Sequence, residues 1–315
     1  MTRRLLQTID CDYMLPGLAA AFLRVEGDEA AFVETNTSHA VPKLLAALAA
    51  AQLRPEQVRW VIVTHVHLDH AGGASALMKA LPNATLLAHP RAARHLIDPS
   101  RLVASATQVY GAENFARLYG VIEPIDPARV RSLEDGASIE LGSSSLQVFH
   151  TRGHANHHFV VFDSTSSSVF TGDTFGLVYP RLQRAKRFAF PSTSPTDYDG
   201  LEARKSIDRV LSLGAERAFL THFGEVRDLL VIADQLRRWL DLSDALVREA
   251  AALPPAEREP LLRRRLAAAL EQAALEAGLS LDDNDWRLLD LDLGLNAQGL
   301  AFAAGKPLPF TTIST

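Results

Sequence analysis

Thr64-His65-Val66-His67-Leu68-Asp69-His70 places three imidazoles and a carboxylate within six residues. The cluster follows the apolar run Trp60-Val61-Ile62-Val63 and precedes Gly72-Gly73, where a buried strand should end and the chain should turn. Alternation lets His65 and His67 face one metal ion while Asp69 and His70 turn toward another. Three single residues downstream stand in similar places: His154 after the strand Leu146 to His150, Asp173 after an apolar hairpin strand, and His222 after Phe219-Leu220-Thr221. Each has a glycine close by that lets the backbone turn tightly. These five imidazoles and two carboxylates suit borderline divalent ions, and the lack of a thiolate argues against a soft structural site. A closed structural zinc needs four ligands, so seven fit two ions with open positions better. Two ions ~3.5–4 Å apart can hold a bridging hydroxide as nucleophile and polarise a carbonyl or phosphoryl oxygen.

The elements that must carry these residues read as alternating strand and helix. Leu18 to Val25 and Ala30 to Glu34 form a hairpin around Glu26-Gly27-Asp28-Glu29. Val41, Leu44, Leu45 and Leu48 recur at helical spacing over 38–51, and a helix is expected over 73–81. Ala84 to Ala88 is a further strand, 91–119 is helical, and 132–161 returns to short strands. A basic, proline-containing loop over 180–195 precedes a helix from about Thr196 to Leu213 and the strand Arg217 to Thr221. From Glu225 the texture becomes helical, with Leu229, Ile232, Ala233, Leu236, Trp239 and Leu240 at i, i+3, i+4 spacing. The domain reading is therefore a catalytic unit over 1–224 and a helical extension over 225–315 packed on it.

The chain has 315 residues, 47% of them hydrophobic, and a formal net charge of −5. That balance gives no reason to expect nucleic acid or an anionic membrane as the main partner. A single cysteine, Cys11, excludes an intramolecular disulfide framework and suits a reducing cytoplasm. No apolar stretch reaches the ~18–20 residues of a membrane span, and no secretory signal is visible.

The ligand set His65, His67, Asp69, His70, His154, Asp173 and His222 resembles, in order and in type, the metal-binding motifs of the metallo-β-lactamase fold superfamily. The resemblance covers roughly residues 1 to 225. It implies an α/β fold, a four-layer αββα sandwich built from two similar halves. It also implies His65, His67 and His154 on one metal, Asp69, His70 and His222 on a second, and Asp173 bridging them. Zinc is the first expectation for the two ions, with iron or manganese as alternatives. Within the superfamily the pattern resembles the glyoxalase II-like and lactonase-like branches, and uncharacterised hydrolases with a Gly-His-Ala-x-His-His run, here Gly153 to His158.

The expected function is hydrolysis of an ester, thioester or lactone in a small molecule. The alternatives are a non-heme di-iron protein that binds or reduces oxygen, and a metal-binding sensor or interaction protein. Asp69 and His158 are candidates for a catalytic part. Glu34 is a candidate to accept the second N–H of a ligand histidine. Tyr179, Arg181 and Lys186, in a loop that also carries Arg184 and Arg187, are candidates to bind an anionic substrate. The amphipathic C-terminal helices make a homodimer an expectation.

Overall fold

The computed structural model describes residues 3–194 and 196–306. Pro195 and the last nine positions of the expected helical extension, 307–315, lie outside the described residues. In chain order the elements begin with β1 (Arg4–Asp10), β2 (Ala20–Glu26), β3 (Glu29–Val33), α1 (Val41–Ala50), β4 (Val58–Ile62), α2 (Leu68–Ala71) and α3 (Ala74–Ala80). Next come β5 (Thr85–Ala88), α4 (Pro90–Ile97), α5 (Ser100–Tyr110), α6 (Ala112–Tyr119) and β6 (Val130–Ser132). The second half holds β7 (Ser138–Leu141), β8 (Ser144–His150), β9 (Phe159–Asp163), β10 (Ser168–Gly172), α7 (Gly200–Ser212), β11 (Arg217–Leu220) and β12 (Gly224–Val226). Three long helices close the described chain: α8 (Leu229–Ala251), α9 (Pro255–Glu276) and α10 (Asp283–Ala304).

Two six-stranded sheets run in the orders β1-β2-β3-β4-β5-β6 and β12-β11-β10-β9-β8-β7. Because side chains alternate along a strand, each sheet buries two faces at once. On β2, Phe22 packs between the sheets with Trp60, Ile62, Phe170 and Phe219, whereas Leu23 and Val25 face outward onto Leu44, Leu48 and Leu77 of the α1 and α3 layer. On the second sheet Val161 points inward, while Val160 and Val169 point out to Ile207 of α7, Leu236 of α8 and Leu289 of α10. Helix, sheet, sheet and helix are thus the four layers.

The structure departs from the sequence reading in several elements. β1 was not foreseen; it is a sheet edge that pairs antiparallel with β2 from Arg4↔Glu26 to Asp10↔Ala20. The 91–119 region breaks at Pro99 and at Gly111, whose φ of 77° no helix continues through. The helix expected from Thr196 starts at Gly200, where the Asp199 side chain accepts the Leu201 and Glu202 N–H groups as an N-cap. The second sheet runs on to Val226, two residues past the expected boundary, because β12 pairs with β11. α10 carries its own capping box at Asp282 and Asp285.

Among the described residues, no helix is long and apolar enough to cross a membrane. Cys11 is buried among apolar neighbours of the first sheet, and burial pushes its thiol up to about 12.

Candidate metal centre

The site lies where the strands give out at one end of both sheets. β3, β4 and β5 are parallel, as are β10 and β11, so residues after their carboxyl ends converge: Glu34, His65, Asp173 and His222. α2 is a single turn presenting Asp69 and His70. It is pinned by Thr35, whose N–H donates to the His70 carbonyl at 2.9 Å, and by Asn36 Nδ2, which donates to the Asp69 carbonyl at 2.9 Å.

Two groups of possible ligand atoms form. His65, His67, His154 and Asp173 make the first, and Asp69, His70 and His222 make the second. In the first, His65 Nε2 lies 2.9 Å from His67 Nδ1, and His154 Nε2 lies 3.2 and 3.0 Å from those two nitrogens. Asp173 Oδ2 is 3.3 Å from His154 Nε2. Metal–nitrogen bonds of ~2.0–2.1 Å in a tetrahedron put ligand atoms about 3.3–3.4 Å apart, so these spacings fit a common ion. Asp173 turns its other oxygen, Oδ1, to the second group, 3.1 Å from His70 Nε2 and 3.5 Å from His222 Nε2. Asp69 Oδ2 lies 3.4 Å from His222 Nε2 and 3.8 Å from His70 Nε2. His70 Nε2 and Asp173 Oδ1 are close but not aligned as a hydrogen bond; both are buried polar atoms without a hydrogen-bond partner among the described residues. Both atoms face the same space, as ligand atoms must.

The nitrogen that each of these histidines turns away from the centre is held in most cases. His70 Nδ1–H donates to Glu34 Oε1 at 3.0 Å, His222 Nδ1–H to the Leu18 carbonyl at 2.7 Å and His154 Nδ1–H to the Ser192 carbonyl at 3.2 Å. His65 Nδ1 sits 3.0 Å from the Thr64 hydroxyl. Glu34 also accepts the Thr64 N–H at 3.2 Å and the Thr221 hydroxyl at 3.3 Å. It is fully buried with φ of 66°, a left-handed conformation that costs a non-glycine residue roughly 1–2 kcal/mol. Backbone strain kept in place by such a ring of donors is characteristic of functional sites. Glu34, Thr64 and His65 therefore form one unit across β3 and β4. Glu34, His65 and His70 could themselves hold an ion, but Glu34 faces the Nδ1 side of His70, away from the other ligands.

Electrostatics divide the two groups. Burial, joined by the neighbouring imidazoles, holds His65 and His67 well below the usual histidine range, and burial lowers His154 too. These rings stay neutral, the form that binds metal. Burial also pulls on His70 and His222, but Asp173 and the other carboxylates outweigh it, raising His70 and bringing His222 up to about 9. Asp69 and Asp173 resist burial because His70 beside them holds both carboxyls below the usual range. The second group is therefore an assembly of charges that a cation would replace the imidazole protons to neutralise.

Other candidate residues are placed differently from the sequence reading. His158 was given a catalytic part, but it is fully buried behind Asp173. Its Nε2 accepts the Asp173 N–H at 3.2 Å and its Nδ1–H donates to the Thr151 hydroxyl at 2.8 Å, so both nitrogens are engaged in holding Asp173. Gly172 makes that approach possible: a Cβ there would collide with His158 and Thr64. Arg181 is turned to the C-terminal helices. It pairs with Asp282 and with buried Asp285 at 2.8 Å each, while Arg184 binds Asp285 at 2.6 Å and Arg187 binds Asp228 at 2.7 Å. Lys186 lines a separate cavity against α8 and α9. The basic loop is a clasp for the C-terminal helices. Tyr179 does border the centre, its ring edge-on to His222 with centroids 6.3 Å apart, but its hydroxyl donates to Asp292 of α10 at 3.0 Å. His89 and His150 pack against each other with tilted rings, centroids 4.1 Å apart, and neither belongs to the ligand groups.

Asp292 is the residue that sequence reasoning missed. Burial raises it to about 7, and the charges of His222, Asp173 and Asp69 all reach it. A signal existed: Leu288, Leu289, Leu293, Ala297 and Leu300 form a buried helical stripe, and an acid within such a stripe needs a partner.

Comparison with known proteins agrees with this geometry. The family model of the metallo-beta-lactamase superfamily matches residues 18–222. A metallo-beta-lactamase fold-containing protein of Sulfurisphaera tokodaii, ST1585, is 26% identical over 175 residues, which span 54% of this chain and 62% of that protein, so the match covers less than two thirds of the relative's length. A probable metallo-hydrolase of Burkholderia pseudomallei is 26% identical over 232 residues, 68% of this chain and 69% of its own length. A hydroxyacylglutathione hydrolase of Aeromonas hydrophila is 28% identical over 132 residues, 42% of this chain and 37% of that protein. The crystal structure of the archaeal protein ST1585 superposes with a TM-score of 0.66 over 95% of this chain and 98% of that one, at 19% identity, a likeness of fold. With the family's model spanning β2 to β11, the ligand turn and the final histidine, the chain belongs to the metallo-beta-lactamase superfamily.

Proposed function

We propose that this chain is a two-metal hydrolase that cleaves an ester, thioester or lactone bond in a small molecule. The observation that carries the reading is Asp173, which turns one carboxylate oxygen to each ligand group, at 3.3 Å from His154 and 3.1 Å from His70. A divalent ion in each group would supply an activated water near neutral pH and polarise the scissile carbonyl. His65, His67, His154 and Asp173 would hold the first ion, and Asp69, His70, His222 and Asp173 the second. The chain's own contribution is rigidity: Glu34 fixes His70, Leu18 fixes His222, and His158 with Thr151 fixes Asp173. Tyr179, edge-on to His222 and bonded to Asp292, borders the centre, and Arg181, Arg184 and Arg187 of the adjoining loop are each committed to an aspartate. A neutral ester or lactone therefore suits the mouth better than a phosphorylated one. Hydroxyacylglutathione hydrolase among the relatives keeps thioesters in the panel. Zinc is the ion we expect, since nitrogen and carboxylate ligands at these spacings accept it readily. The test is turnover of a panel of lactones, thioesters and aryl esters by protein loaded with zinc, manganese or iron. Hydrolysis that disappears in His65→Ala at unchanged fold supports the reading; a panel with no rate above background for any metal would sink it.

A further inference from the structure

A cavity of about 520 Å³ lies between α8, α9 and the 186–189 loop, away from the metal centre. That volume is within the range of small-molecule pockets, roughly 300–1,000 Å³. Its origin is visible in the helix sequences. α9 offers it Ala269 and Ala273, with Ala277 just past the helix end, at i, i+4 and i+8, whereas Leu262, Leu266 and Leu270 turn into the core. Across from these small side chains stand Trp239 and Leu242 of α8, and Phe188 forms part of the floor. The result is an apolar trough that the helices' own side chains do not fill. Its loop wall is fixed: Gln235 accepts the Ala189 N–H and donates to the Arg187 carbonyl, each at 2.7 Å.

The charges around the trough are arranged unevenly. Arg181, Arg184 and Arg187 of the loop, and Arg237 of α8, are each paired with an aspartate. Lys186 and Arg238 line the cavity, and neither side chain makes a hydrogen bond or ion pair with any described residue. The acid on the rim, Glu276, accepts from Gln272 at 2.8 Å. Two free cations beside an apolar trough complement a ligand with an anionic head and an apolar body.

We propose that this cavity is a second ligand site, for an amphipathic anion whose alkyl or aromatic body lies against Trp239 and Phe188 and whose carboxylate or phosphate head meets Lys186 and Arg238. The site is independent of the hydrolase reading, since none of its lining residues belongs to the metal centre. Decanoate, with decanol as the uncharged probe of equal length, tests it by titration calorimetry on the full-length, metal-loaded protein. Saturable binding of decanoate near one equivalent is expected, with decanol weaker by about tenfold or more. The surface variant Lys186→Glu/Arg238→Glu should weaken decanoate by a similar factor at unchanged metal content and melting temperature, and Ala273→Trp should fill the trough and remove binding. His65→Ala should bind decanoate as the parent does, which separates this cavity from carboxylate capture by a metal. Absence of saturable decanoate binding would overturn the proposal. Equal affinity for decanol would do so too, as would binding that survives the double charge reversal or disappears with His65→Ala.

Discussion

The histidine cluster and a second buried polar network, Arg24–Glu26–Asp163, lie toward opposite ends of the same strands. β9 leads from the site edge at Phe159 to Asp163, four residues or about 13 Å further along. In the distal network Arg24 Nε donates to Asp163 Oδ2 at 2.7 Å, and Nη2 donates to Glu26 Oε2 and Ser144 Oγ at 2.9 Å each. Ser143 and Arg4 donate to the remaining Glu26 oxygen, at 2.6 and 3.0 Å, and Ser166 and Thr165 donate to Asp163, at 2.8 and 3.0 Å. Every donor meets an acceptor there. In the cluster at the other end, imidazole nitrogens crowd one another at 2.9–3.2 Å, and His70 Nε2 and Asp173 Oδ1 stay unpartnered. Both are largely buried, with only His67 and Asp69 of the cluster partly exposed, but the chemistry differs. A closed network locks two sheets together; an open one leaves ligand atoms that could hold a metal ion.

Substitutions can break this contrast from either side. Removing the carboxylate that faces both ligand groups, with Asp173→Ala, should cost the most. Loss of a ligand common to both groups removes several kcal/mol of transition-state stabilisation, roughly a 10³-fold fall in kcat/KM, and lowers bound metal measured on the same sample. Arg24→Met should do the reverse. It leaves buried Asp163 without its cation and Glu26 with Arg4 alone, and should lower unfolding free energy in urea by about 3–5 kcal/mol, while metal content in the folded protein stays the same. An Arg24→Met protein that lost metal in proportion would show that the two clusters are not separate devices.

Smaller changes sharpen the comparison. Glu34→Gln keeps size but weakens the acceptor behind His70, and metal affinity by competition with a chelator should drop about 10–100-fold. The distal network also carries a pH signature. Burial opposes ionisation of Glu26, but Ser143, Arg4 and Arg24 overcome it and hold the carboxyl down to about 2 from 4.5. Its contribution is therefore complete above pH 4.5 and is lost as pH falls toward 2. Glu26→Gln should flatten that part of the acid-unfolding curve, followed by circular dichroism. Smallest of all, Arg181→Ala removes one exposed partner of the clasp to α10 and should leave the melting temperature and kcat/KM nearly unchanged. A large rise in KM would return Arg181 to the substrate.

Much of the centre was legible because its ligands are local signals. His65, His67, Asp69 and His70 share one turn, and His154, Asp173 and His222 each follow an apolar strand beside a glycine. Glu34 was legible for the same reason, standing at the end of β3. What sequence did not reveal was pairing at a distance. The 181–187 charges read as a substrate patch because their partners lie far along the chain: Asp282 and Asp285 come about a hundred residues after Arg181 and Arg184. Asp292 gave only the weak sign of an acid within an apolar helical stripe, because its partner, Tyr179, comes from another layer. His158 reads as a candidate for a catalytic part because spacing cannot show that its ring, just before β9, is taken up by Asp173 and Thr151. β1 escaped notice as an edge strand with weak alternation, mostly half-buried.

The most direct measurement is metal stoichiometry by elemental analysis on purified, metal-saturated protein and on Asp173→Ala prepared alongside it. About two divalent ions per chain in the parent, falling well below that in the variant, is the expected result. A parent that saturates at one ion, or a variant that still holds two, would contradict a centre bridged by Asp173.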